Sequence, residues 1–133
     1  MIKNQIVIRL KNRDLKKGYT EDFMPNKDTF HLNNRDGETE EINVEDAKAI
    51  FFVKDLDGNK GYKYTYEDEI AGEGNRMIVE FKDGEKVVCY GLAYSPERKG
   101  FFMKPADLKG NNRRVFVVTS SLKKLEIIYS DEK

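Results

Sequence analysis

Laid against itself, this chain matches over residues 6–32 and 77–103 at a constant shift of 71, without a gap. Ile6-Val7-Ile8-Arg9-Leu10-Lys11 falls on Met77-Ile78-Val79-Glu80-Phe81-Lys82, and Asn12-Arg13-Asp14 on Asp83-Gly84-Glu85. Tyr19 then meets Tyr90, Phe23 meets Tyr94, Pro25 meets Pro96, Lys27 meets Arg98 and Phe30 meets Phe101. Farther on the register changes by four, setting Asp46 to Val53 on Ser121 to Ile128. Strand, turn, aromatic, proline and closing strand recur in one order. The pattern reads as two copies of one supersecondary unit of about 50 residues, too few copies for a solenoid.

Each copy reads as strands. Ile6, Ile8 and Leu10 alternate with Val7, Arg9 and Lys11, the period of two expected of a half-buried strand. Met77, Val79 and Phe81 repeat that period, and Asp83-Gly84 is a hairpin signal because glycine tolerates positive φ. A second strand from Leu15 to Phe23 should stop at Met24-Pro25-Asn26-Lys27, since proline cannot donate to a ladder. Thr29-Phe30-His31-Leu32 starts a third, and Arg35-Asp36-Gly37-Glu38 turns into Glu41-Ile42-Asn43-Val44. Val44 to Lys48 leaves room for one helical turn before a closing strand, Ala49 to Val53. The second copy closes alike, with Val115–Val118, a turn over Thr119–Lys124, and Leu125–Ile128. In between, Asp57-Gly58-Asn59 reads as a hairpin tip with Gly61–Tyr66 returning, and Ala71-Gly72-Glu73-Gly74 as a joint.

The expectation is an all-β, internally duplicated small barrel: a first repeat over 1–54, a hairpin linker over 55–75, and a second repeat over 76–133. The repeats could form two pseudo-equivalent barrels packed through the linker strand, or one joint barrel. Units of about 50 residues bury little surface alone, which favours the joint version. Closure would also remove exposed strand edges.

Charge narrows the function. Lys+Arg and Asp+Glu both number 24, so the chain lacks the basic excess that phosphate neutralisation asks of a nucleic-acid binder. A single Cys89 excludes an internal disulfide, and with one histidine, His31, a protein zinc site has almost no ligands. No metal or cofactor is expected. The start, Met1-Ile-Lys-Asn-Gln-Ile, lacks the layout of a signal peptide, and no apolar run approaches the roughly 20 residues that span a bilayer. A cytoplasmic setting away from membranes is the natural reading.

Catalytic motifs are missing. Asp55-Leu56-Asp57-Gly58-Asn59-Lys60 starts like a calcium loop, but Lys60 stands where an EF-hand needs glycine and Tyr66 where it needs a bidentate glutamate. Arg9 and Arg13 have the spacing of the arginine pair with which PilZ domains hold cyclic di-GMP, but no Asp-x-Ser-x-x-Gly follows. Alternation places Arg9 outward. His31 has no Ser, Cys or carboxylate motif around it, and Cys89 lies in the apolar stretch Val87-Val88-Cys89-Tyr90, where a thiol is an inert small hydrophobe. The chain therefore reads as a non-catalytic binding or adaptor module for a protein or small ligand. Its candidate residues are those of the two equivalent loops: Pro25, Asn26 and Lys27, and Tyr94, Pro96, Arg98, Lys99 and Phe101. Arg113 and Arg114 add a local basic patch in the second repeat, which offers an alternative reading as a nucleic-acid or cyclic-nucleotide binder.

The run Ile6 to Gly18, with Gly18 at the place of a bent-strand glycine, resembles the opening of Sm, Hfq-like and SH3-like small barrels, which implies a short-stranded barrel in each copy. Cys89 stands at that place in the second copy. The segments Gly18–Lys27, Phe51–Asp55 and Ser95–Phe102 look similar to an uncharacterised bacterial domain family found near PilZ-type signalling proteins. That resemblance implies a bacterial cytoplasmic setting and no activity.

Overall fold

The computed structural model describes residues 4–54, 56, 75–91, 97–105 and 112–128. Strands β1 (Asn4–Leu10), β2 (Leu15–Thr20), β3 (Thr29–Asn33) and β4 (Thr39–Asn43) lead into one 3-10 turn, Val44–Asp46, and then β5 (Ala47–Val53). The second half repeats the series. It has β6 (Asn75–Phe81), β7 (Lys86–Gly91), β8 (Gly100–Pro105) and β9 (Asn112–Val118), a 3-10 turn at Thr119–Ser121, and β10 (Leu122–Ile128). No α-helix occurs among the described residues, so the protein is all-β. The second strand ends at Thr20 rather than Phe23, well short of Pro25.

All ten strands pair antiparallel in a single sheet, in the order β10-β6-β7-β8-β9-β5-β1-β2-β3-β4. Each half uses one internal order, β5-β1-β2-β3-β4 and β10-β6-β7-β8-β9. Registers recur too. Ile6 faces Phe52 where Met77 faces Ile127, and Phe30 faces Ile42 where Phe101 faces Val117. So do single hydrogen bonds. The Leu10 N–H donates to the Asp14 carbonyl and that of Phe81 to Glu85; Val44 donates to Asp28 and Thr119 to Lys99. In the matching hairpins Gly84 has φ +96°, while Arg13 holds φ +80° in a region that costs a residue with a Cβ.

The sheet is not closed into a barrel, separate or joint; among the described strands β4 and β10 are the outer ones. The reason lies in β5 and β9. Their stretches Ala47–Val53 and Val115–Val118 are apolar on both sides, apart from Lys48, and a strand of that kind needs cover on both faces. Pairing β5 with β9, with Ala49 opposite Val117 and Phe51 opposite Val115, puts both strands mid-sheet. Alternate residues then feed different cores. Ile50, Phe52, Phe116 and Val118 join Ile6, Ile8, Phe30 and Leu32 in the first. Ala49, Phe51, Val115 and Val117 join Met77, Val79, Phe81 and Phe101 in the second, on the opposite face of the central pair. Each buried aromatic or branched aliphatic side chain there contributes about 1.5–3 kcal/mol.

Among the described residues the halves meet through β5 and β9; the sequence suggested the linker strand. That strand and its hairpin tip lie outside the described residues, apart from buried Leu56 and from Asn75, which opens β6. Polar bonds reinforce the union. The ammonium of Lys48, whose side chain is 5% exposed, pairs with Asp83 at 2.7 Å and with Glu85, and lies 4.5 Å from the Phe81 ring centroid. That contact holds the Asp83 carboxyl below its usual pKa. Lys11 donates to the Ser120 hydroxyl at 2.6 Å, and Ser120 donates to Glu45 at 2.9 Å.

Candidate functional site

Proline and glycine set the walls of the main cleft. Pro25 and Asn26 lie in the turn between β2 and β3, where the Lys27 N–H closes onto the Met24 carbonyl at 3.1 Å. Gly100 opens β8 so close to β9 that a side chain there would run into the Val117 carbonyl and the Phe116 ring. Between these walls lies a cleft of about 850 Å³. Tyr90 and Gly91 of β7, Phe101, Phe102 and Met103 of β8, and Phe116 of β9 give it an apolar lining. Glu97, Arg98, Lys99, Lys104 and Arg114 add charge.

The aromatic wall continues inward. Phe102 lies 5.1 Å from Phe116 and 5.7 Å from Phe52, ring centroid to centroid. Phe23, from the segment after β2, packs edge-on against Phe116 at 5.0 Å and Phe30 at 5.1 Å. Arg114 lies over this wall, its Cζ 4.4 Å from the Phe52 ring centroid and 4.5 Å from that of Phe102. Desolvation over the rings moves its pKa down, yet a guanidinium so high to begin with stays charged at neutral pH. Lys99 is differently employed. It pairs with Asp28 across the two halves, and that hydrogen bond raises its pKa. The cleft thus combines an aromatic wall, a cation held over it, and two further cations, Arg98 and Lys104.

Of the residues that sequence nominated, the structure brings Pro25, Asn26, Arg98, Lys99, Phe101 and Arg114 together around this one cleft. Lys27 and Arg113 are exposed and do not line it, and Tyr94 and Pro96 lie outside the described residues. Phe101 is 3% exposed and packs mainly into the second core. Sequence reasoning missed Tyr90 as a lining residue, and above all Phe52, which supports Arg114 from the other half. No local signal links Phe52 to Arg114; their facing positions in the β5–β9 register create the contact.

Neither residue weighed for catalysis lines the cleft. Cys89 is fully buried, and burial pushes its thiol up to about 12. His31 does have a carboxylate partner that the sequence reading overlooked, because it lies in the segment after β2: Asp22 meets Nδ1 at 2.6 Å and accepts the His31 backbone N–H at 2.9 Å. Partial burial would raise the Asp22 carboxyl, but the bonds from His31 and Thr20 outweigh it and hold the carboxyl low. Arg9 is exposed, as alternation required. Among the described residues, no group of three or more His, Cys, Asp or Glu could hold a metal ion. Nor is any helix there long and apolar enough to cross a membrane.

The fold and the cleft together define an all-β protein with an open ten-stranded sheet and a cation-bearing aromatic pocket beside its central strands. The chain belongs to DUF6982, a family of unknown function whose model matches residues 2–129. No curated protein matches it.

Proposed function

We propose that this protein is a non-catalytic binding module whose cleft takes an anionic partner carrying an apolar or aromatic group, such as an acidic peptide segment. The observation that carries the reading is Arg114 laid across Phe52 and Phe102 in a cleft that also has Arg98 and Lys104. A cation held on an aromatic wall attracts a carboxylate while the wall takes the apolar part, and the pairing strengthens away from bulk water. Support for a non-catalytic role comes from His31 and Cys89, neither of which lies among the residues lining the cleft. A cyclic nucleotide in the same cleft is the second reading, favoured by the same pairing of cation and ring, which also suits phosphate and base.

The halves are further proposed to be copies of one five-stranded unit in a bacterial cytoplasmic protein. The recurring strand order, registers and hydrogen bonds support duplication, and a lone buried cysteine suits a reducing compartment.

The test is binding of an aromatic-containing acidic peptide, a cyclic dinucleotide and single-stranded RNA to the wild type and to Arg114→Ala, at about 50 mM and about 300 mM salt. Peptide binding that weakens roughly tenfold in Arg114→Ala and falls with salt is the expected result. Selective binding of the dinucleotide promotes the second reading. Failure of all three probes at low salt, or binding indifferent to Arg114, overturns the cleft as the site.

A further inference from the structure

The β5–β9 joint has a counterpart that this chain leaves unmade. β9 ends the second half as β4 ends the first, and β5 flanks the first half as β10 flanks the second. Among the described strands β9 meets β5, while β4 and β10 are the two outer ones. We infer that β4 of one molecule pairs antiparallel with β10 of another, so that the protein self-associates head to tail through a copy of its own internal joint.

Charge complementarity favours this occupant over a symmetric one. Exposed Glu40 and Glu41 lie on β4, whereas β10 carries exposed Lys123 and Lys124. Pairing β4 with β4 sets glutamates against glutamates, whereas β4 on β10 brings Glu40 and Glu41 near Lys124 and Lys123. The internal register fixes the alignment. Ala49 opposite Val117 translates into Lys124 opposite Ile42, which brings Lys124 diagonal to Glu40 and Lys123 diagonal to Glu41. Those glutamates and lysines have local company that the association must share: Glu40 pairs with Lys16, and Lys123 lies 3.9 Å from Glu80.

The edges also differ from the joint in a way that sets the strength. Glu41 occupies the place of buried Phe116, and Lys124 and Glu126 occupy the places of Ala49 and Phe51. Association therefore rests on backbone ladder bonds and charge, without the crossed apolar packing, and is reversible and sensitive to salt. One pair opposes it: the same register sets Glu126 opposite Glu40. A heterologous contact of this kind makes a closed ring or an open chain of molecules.

Light scattering and sedimentation of the full chain test the inference, at about 50 mM and about 500 mM salt over a wide concentration range. The wild type is expected to form multiples of its own mass at low salt and to fall toward one chain at high salt. Glu40→Lys/Glu41→Lys and Lys123→Glu/Lys124→Glu should each be monomeric, and an equimolar mixture of the two should regain the larger species. Glu126→Lys should tighten association roughly fivefold by removing the opposed pair. Masses that stop at one multiple and masses that climb with concentration both carry the inference. A wild type and Glu126→Lys that stay monomeric throughout overturn it, and so does a dimer that both charge reversals leave intact.

Discussion

The central pair β5–β9 and the outer strands β4 and β10 hold equivalent places in the two halves, yet their chemistry is opposite. Phe116 is fully buried in the first core, while Glu41, its counterpart, is exposed. Ala49 is fully buried and Lys124 is exposed. One backbone pattern thus serves as a permanent joint or a solvated edge according to the side chains on one face of each strand. Ladder bonds alone do not decide whether two strands stay together; the burial of alternate side chains does.

Exchanging residues between the two places tests that contrast most severely. Phe116→Glu installs the edge residue at the joint and buries a charge with no partner among the core residues. It should abolish cooperative folding by circular dichroism and urea titration. Phe116→Ala leaves a cavity in the aromatic cluster and should cost about 3–5 kcal/mol, against less than about 0.5 kcal/mol for Glu41→Ala, both read from urea midpoints. Lys48→Ala removes the buried cation that braces β5 to the β6–β7 hairpin and should cost about 1–3 kcal/mol.

The same brace sets a dependence on pH. The Asp83 carboxyl is depressed, first by its hydrogen bond from Lys48, so its folded pKa lies below its unfolded value. Its stabilisation is then complete above about pH 5 and fades as pH falls through the folded pKa, below the ordinary 3.8. Asp83→Asn should flatten the acid limb of stability against pH, with a modest amplitude because the carboxylate is partly exposed. The smallest effect concerns the two matched hairpins. Arg13→Gly supplies the residue that its counterpart Gly84 already has, and should gain no more than about 1 kcal/mol, the relief of positive φ being offset by a more flexible unfolded chain.

Much of the sheet was legible because its signals are local. Ile6 and Ile8 alternate in sequence and are fully buried in one core, and Asp83-Gly84 turns where glycine is needed. The partner of β5 was not legible, because strand pairing between segments far apart leaves no mark in either segment alone. A signal was still present: Ala49–Val53 and Val115–Val118 do not alternate, and an unbroken apolar strand is one that is covered on both faces. Taken as the last strand of one barrel and the strand before the closing turn of the other, these two runs suggested closure where the chain builds a shared centre. For the cleft, the proline turn and the basic run drew attention to Pro25 and Arg114, but the rings beneath Arg114 depend on that same unforeseen pairing.

The sharing of β9 between two cores bears on how the chain comes into being. Phe116 and Val118 complete the core built mainly by β1 to β5, so that core stays open while the ribosome is still making the second half. A nascent first half exposes Phe30 and Phe52 until β9 emerges, and such exposed surface is what chaperones hold and aggregation exploits. A chain cut after residue 54 should therefore behave as an unfinished core in need of a partner, even though it carries all five strands of the first half.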